Sequence, residues 1–174
     1  MTSSTSQLQI SIAGENAYLK IIGRANVHLS VAFKQCLQTL HDKGMSHFCL
    51  VLDECIIMDS TFVGILAGFC RHQAEDAAAR GSEPEKVILY SPNQRVTDLI
   101  ENLGIGEFFV VADSAGHTFE FEEVQVDKGV ERNEFTRHCL EAHRNLMELN
   151  PDNIPKFKDV AAFLEGELKS GNPS

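Results

Sequence analysis

Three adjacent polar residues, Asp59, Ser60 and Thr61, carry the clearest chemical signal in the chain, directly before the apolar stretch 62–70. Aspartate, serine and threonine cap helix N-termini, because a side-chain oxygen accepts a hydrogen bond from a backbone N–H of the first turn. A serine there also presents a hydroxyl for phosphorylation, since the positive helix end tolerates an added charge of about −1.5 to −2. The residues alone leave both roles open, helix cap or phosphate acceptor.

Apolar patterning predicts the strands that position this cluster. Segments 8–12 and 17–22 flank a turn at Gly14 and predict a β-hairpin. The continuous apolar run 48–52 predicts a central strand buried on both faces of a mostly parallel sheet. Segments 87–90 and 108–111 predict two further strands. The fold class is therefore α/β, with a mixed β-sheet of about four to five strands and helices packed on it.

Helix signals alternate with these strands. Ser30 is the predicted N-cap of the first helix, and Gly44 stands where a helix-terminating glycine belongs. The second helix is predicted to begin at Asp59 or Ser60, and Ser91-Pro92-Asn93 to cap a third. Gly64 and Gly68, four residues apart on the second helix, are expected to allow close packing on the sheet.

The C-terminal third differs in composition, so we expect an α/β domain over 1–113 and an acidic linker with a two-helix extension, a helical hairpin, over 114–174. Segment 117–126 fits an edge strand or an extended linker equally well. Two apolar stripes at helical spacing follow, Phe135, Cys139, Ala142, Leu146 and Leu149, then Phe157, Val160, Ala161, Leu164 and Leu168. Each stripe must be buried, on the sheet domain, in a homodimer or on a partner.

Composition excludes several function classes. The 25 acidic and 15 basic residues give a net charge of −10, which disfavours nucleic-acid binding. No apolar run approaches the roughly 20 residues of a membrane span, and the first residues lack the pattern of a secretory signal. The five cysteines contain no Cys-x-x-Cys pair and are expected to be small core residues. We expect a cytoplasmic protein without membrane insertion.

No catalytic, metal or cofactor site is predicted. The chain has no glycine-rich nucleotide motif, and its histidines and serines allow chance Ser-His-Asp pairings that discriminate nothing. His138 and His143 lie on the first C-terminal helix near Glu134 and Cys139, but their five-residue spacing does not make ligands converge. A solvated or packing role is expected for them, and the protein is not expected to be an enzyme.

The stretch from Leu50-Val51-Leu52-Asp53 to Asp59-Ser60-Thr61 and its apolar helix resembles the STAS family of sulphate-transporter and anti-sigma-factor-antagonist domains. The resemblance spans about residues 7–113 and includes the opening hairpin, the Ser91-Pro92-Asn93 turn and the segment 103–109. It implies that Ser60, or alternatively Thr61, accepts a phosphate from a partner serine kinase that doubles as an anti-sigma factor.

The resemblance also implies a partner-binding surface, for which we predict Asp59, Ser60, Thr61, Phe62, Gly64, Arg24 and Asn26. Two positions depart from the family pattern. Phe62 stands where glycine is usual, which predicts an exposed aromatic residue beside the acceptor. Arg24 and Asn26 lie in a loop where antagonists often have Gly-Glu-Leu-Asp, so they offer the partner a different surface.

The expected function is that of a phosphorylation-switched, protein-binding antagonist of an anti-sigma factor, with a serine phosphatase as a further partner. A second hypothesis is a STAS subunit of a lipid-transport ABC complex that binds its ATPase. A third is a sensor in which Phe62, Phe69 and the C-terminal helices enclose a small apolar ligand, although the sequence offers no convergent polar groups to hold one.

Overall fold

The computed structural model describes residues 5–113, 119–127 and 129–170. These residues form a mixed sheet with helices on it. The strands are β1 (Gln7–Ala13), β2 (Asn16–Ala25), β3 (His47–Val51), β4 (Cys55–Met58), β5 (Val87–Tyr90), β6 (Phe109–Ala112) and β7 (Glu122–Glu123). The helices are α1 (Val27–Asp42), α2 (Ser60–Ala79), α3 (Gln94–Asn102), α4 (Arg132–Leu149) and α5 (Ile154–Ser170). The predicted α/β class and C-terminal helical extension are confirmed.

The sheet order is β6-β5-β3-β2-β1-β7, with β4 paired to β2. The predicted hairpin is antiparallel, and its turn places Gly14 at a φ of 66°, where glycine is favoured. Strands β2, β3, β5 and β6 pair in parallel, so β3 is central as expected. Strand β4 was not predicted, because its four residues directly follow the turn after β3. This strand aligns beside the end of β2 and leads into α2.

Helix starts follow the capping pattern, with one correction. The side chains of Asp59 and Asn93 cap α2 and α3. However, α1 begins at Val27 and is capped by Asn26, whose Oδ1 accepts from the Leu29 N–H at 3.0 Å. Ser30, the predicted cap, is fully buried inside α1. The shift occurs because Asn26 is itself a strong capping residue.

The two faces of the sheet have different neighbours, as the alternation along β3 shows. Phe48 and Leu50 join the main core, which includes buried residues of α1, α2 and α3. Cys49 and Val51 belong to a second cluster, against which the rings of Phe119 and Phe121 pack. The predicted burial of this strand on both faces is therefore confirmed.

The C-terminal segment returns to the α/β unit at two places. Within segment 117–126, residues 117 and 118 lie outside the described residues, and the two-residue strand β7 pairs with Gln9 and Ile10 of β1. Helix α4 lies against α2 and α1, and α5 packs on α4. In the second predicted stripe Ala161 is buried, but Val160 is 43% exposed. None of the helices in the part of the chain that the structure describes has the length and apolar composition of a membrane span.

Candidate functional site at the start of α2

The predicted surface residues of the β2–α1 and β4–α2 junctions lie side by side. The backbone N–H of Asp59 donates to the carbonyl oxygen of Ala25 at 3.0 Å, which ties the two junctions together. Arg24 is exposed next to this contact, and Asn26 is half-buried as the cap of α1. Strand β4 makes this possible, because Ala25 and Met58 are partners in its pairing with β2.

Asp59 is the N-cap of α2. Its Oδ1 accepts from the Phe62 N–H at 2.9 Å, which satisfies one of the free donors of the first helical turn. Burial raises the pKa of the Asp59 carboxyl, and backbone N–H groups of Phe62, Val27 and Thr61 oppose that rise. The carboxylate is thus held by helix ends but poorly solvated, a position in which further negative charge nearby is unfavourable.

Ser60 opens α2 with a half-buried side chain that contacts the C-terminal extension. Its Oγ lies 3.2 Å from Nε2 of His143 on α4. Nδ1 of the same ring lies 2.7 Å from the carbonyl oxygen of Cys139. A carbonyl oxygen only accepts, so in the neutral ring Nδ1 carries the proton and Nε2 accepts from the Ser60 hydroxyl.

The next two predicted surface residues point inward. Thr61 is 7% exposed, and the aromatic ring of Phe62 is fully buried. The Phe62 ring stacks on Phe33 of α1 at a centroid distance of 4.3 Å. The expectation of an exposed aromatic beside the acceptor is therefore wrong, because the third position of α2 faces the core between α1 and α2.

Gly64 and Gly68 allow close packing, but against α4 instead of the sheet. A Cβ on Gly64 would lie 2.3 Å from the backbone oxygen of Ala142. A Cβ on Gly68 would lie 2.2 Å from Nδ2 of Asn145, and that amide donates to the Gly64 carbonyl oxygen at 3.1 Å. The prediction that this glycine pair packs on the sheet is wrong, because α4 packs on the surface of α2 where the glycines have no side chain.

A second serine–histidine contact joins α4 to α1. Oγ of Ser30 lies 2.7 Å from Nε2 of His138, a buried ring. Burial, with a contribution from the charge of Lys34, lowers the pKa of His138 to about 4. Both histidines are therefore buried packing residues on the inner face of α4, which is the second of the two predicted roles, solvated or packing. Their serine partners were not predicted.

The His138 environment predicts a pH-dependent stability. Its pKa is lower in the folded protein than the ordinary 6.5, so the unfolded chain binds the proton more tightly and stability is lost as pH falls from about 6.5 to 4. His138→Gln keeps a polar group near Ser30 but does not titrate. Over that pH range we expect its free energy of unfolding to fall by about 2 kcal/mol less than that of wild type. Urea unfolding at several pH values measures the difference. Equal losses in both proteins would contradict it.

Other chemistry finds little support in the described residues. No group of three or more histidine, cysteine, aspartate or glutamate side chains is placed to hold a metal ion. Ser60 and His143 are adjacent, but the second ring nitrogen faces a backbone carbonyl instead of the carboxylate of a catalytic triad. The cavity between α1, α2 and α4 that includes Phe69 has a volume of about 120 Å³, smaller than the roughly 300 Å³ of a typical ligand pocket. A larger cleft of about 690 Å³ beside α1 and α4 is lined mostly by charged and polar side chains, which do not suit an apolar ligand.

Comparisons with known proteins give the fold and little else. No protein-family model matches the sequence, and neither does any curated protein. Among solved structures, SpoIIAA, an anti-sigma factor antagonist in its unphosphorylated form, is 19% identical with a TM-score of 0.51, covering 62% of this chain and 89% of that one. An anti-sigma factor antagonist from Mycobacterium paratuberculosis is 12% identical with a TM-score of 0.52, covering 66% and 91%.

A putative anti-sigma factor antagonist from Thermotoga maritima is 19% identical with a TM-score of 0.50, covering 61% of this chain and 86% of that one. The chain therefore has the STAS-type fold of anti-sigma factor antagonists. Each match spans about two thirds of this chain and 86–91% of the compared chain, so the compared chains are too short to contain the α/β unit together with both C-terminal helices.

Proposed function

We propose that the protein is a regulatory, protein-binding module of the anti-sigma-factor-antagonist type. The observation that carries this proposal is the position of Ser60, a serine at the first residue of α2, directly after a capping aspartate, in a fold shared with antagonists. SpoIIAA, one of the similar proteins, has a structure described as its unphosphorylated form, so phosphorylation belongs to the properties of that protein. The module acts in the cytoplasm by binding and not by catalysis.

Phosphorylation at Ser60 is the proposed switch. The phosphate would add about −1.5 to −2 charges beside the poorly solvated carboxyl of Asp59 and change the surface formed with Arg24 and Asn26. Ser60 is favoured over Thr61, because Thr61 is buried and its hydroxyl interacts with the Cys139 thiol. The proposed partners are an anti-sigma factor with serine-kinase activity and a serine phosphatase that reverses the modification. A homodimer through the C-terminal helices remains a separate prediction.

Affinity purification from the native host tests the proposal. Wild type, Ser60→Ala, Ser60→Asp and the control Ser82→Asp are compared, with partners and phosphorylated residues identified by mass spectrometry. Ser82 is a suitable control because it is an exposed serine beyond the opposite end of α2. We expect wild type, Ser60→Ala and Ser82→Asp to retain a serine-kinase-type protein and Ser60→Asp to lose it. We also expect phosphate on Ser60 of the wild-type protein.

Two results would contradict this function. Absence of phosphate from Ser60 and Thr61, in the presence of an active kinase that labels a control substrate, would leave Ser60 with only a structural role as the first residue of α2. Capture of an ABC transporter ATPase by all four versions would support the transporter-subunit hypothesis instead.

A further inference from the structure

Helix α4 covers part of the surface that the proposed function requires to be open. Of the predicted partner-binding residues, Thr61, Phe62 and Gly64 are buried, and Asp59, Ser60 and Asn26 are half-buried. Arg24 alone among them is exposed. Helix α4 contacts Ser60 and Gly64, whereas Phe62 is buried against α1. A kinase must bring its active site to the Ser60 oxygen, but that oxygen already faces the ring of His143 at hydrogen-bond distance.

Helix α4 packs closely on the first two turns of α2. The ring of His143 is 6% exposed and lies directly over Ser60 Oγ, in the space that a phosphate would need. One helical turn further on, the Ala142 backbone fills the space beside Gly64. A phosphate on Ser60 in this side-chain position would meet the His143 ring, so phosphorylation of Ser60 opposes docking of α4.

Helix α4 is held on the α/β unit by buried groups and by surface ion pairs, and its residues Ala142 and Leu146 belong to the main core. Asn145 donates to the Gly64 carbonyl, Lys34 pairs with Glu141, and Arg71 pairs with Glu148. Surface ion pairs of this kind contribute at most about 1 kcal/mol each. The segment before α4 is attached to the sheet by β7, by the Val124 N–H that donates to the Leu8 carbonyl oxygen, and by the rings of Phe119 and Phe121. This attachment keeps α4 near α2 when it leaves. In the comparison proteins the same α/β fold exists in chains too short to hold both extra helices.

We propose that α4 is an intramolecular competitor for the surface at the start of α2: docked, it shields Ser60, and it must leave before a kinase or partner can bind there. This inference rests on the proposed function, because it concerns access to the same serine. By reciprocity, a partner that binds this surface weakens α4 docking by the same factor by which docking weakens the partner. Partner binding is then opposed by the protein's own C-terminal extension.

Thiol labelling of position 60 tests the proposal in the full chain without a kinase. Ser60→Cys is treated with N-ethylmaleimide, and the labelling rate of each cysteine is read by peptide mass spectrometry. We expect position 60 to label at least about tenfold more slowly than the exposed thiol of Ser82→Cys, because labelling requires local opening. The helix N-terminus favours the thiolate and the neighbouring Asp59 carboxylate disfavours it, so shielding is read from the change in labelling rate of position 60 when α4 is altered.

Substitutions on α4 test whether this helix limits access to position 60. Adding His143→Ala and Asn145→Ala to Ser60→Cys removes two contacts to α2 and should raise labelling of position 60 by about tenfold. The matched control, Arg137→Ala, changes an exposed residue of the same helix and should leave the rate unchanged. Cys70, a buried core thiol of α2, reports global unfolding and should stay unlabelled.

Three results would overturn the inference. Labelling of position 60 as fast as position 82 would show that α4 does not shield it. An unchanged rate in the His143→Ala and Asn145→Ala version would show that these α4 contacts do not control access. Simultaneous labelling of Cys70 would show that α4 cannot leave without unfolding the core. None of these results depends on a kinase, whereas failure to find Ser60 phosphorylated would contradict the proposed function and leave the labelling result in place.

Discussion

Phe62→Ala is expected to lower the free energy of unfolding by about 3–5 kcal/mol, the usual cost of removing a buried aromatic ring. The ring is fully buried and stacks on Phe33, so its removal leaves a cavity between α1 and α2 where both helices meet the sheet. Denaturant titration followed by circular dichroism measures the loss.

The matched control is Phe163→Ala. Phe163 lies on α5 and is 65% exposed, so its removal should change stability by no more than about 0.5 kcal/mol. A loss below about 1 kcal/mol for Phe62→Ala would mean that the ring is not a core residue in solution. If Phe62 instead contacted a partner directly, Phe62→Ala would weaken partner binding and change the free energy of unfolding little.

Gly64→Ala is expected to destabilise the protein, although alanine is the better helix former by about 1 kcal/mol. The new Cβ would lie 2.3 Å from the backbone oxygen of Ala142, and a backbone atom cannot rotate away as a side chain does. Overpacking of this kind costs about 1–3 kcal/mol beyond the propensity gain, and α4 must shift to relieve it.

Gly166→Ala is the matched control for this substitution. Gly166 is an exposed residue inside α5, and a Cβ there would meet no other atom within 4 Å. The change should therefore stabilise α5 by up to about 1 kcal/mol. Thermal unfolding of the two variants beside wild type should give shifts of opposite sign. A Gly64→Ala protein as stable as wild type would show that α4 does not pack on α2 as closely as the structure has it.

Local sequence signals determined most of the α/β unit. Alternation and apolar runs located the hairpin and β3, and capping residues located the starts of α2 and α3. These features depend on neighbours within a few residues, which is why a single sequence reveals them. The same local reasoning favoured Ser30 over Asn26 as the cap of α1, because both are capping types and only the path of the chain after β2 separates them.

Contacts between distant segments could not be predicted in this way. The sequence placed Ser60 at a helix start, but whether its hydroxyl meets solvent depends on where α4 docks, 83 positions along the chain. The sequence likewise indicated that the apolar stripes of α4 and α5 must be buried. It did not determine whether this chain or another one buries them. Only the tertiary structure shows that Gly64 and Gly68 receive α4, since a pair of glycines permits a close approach without specifying which element makes it.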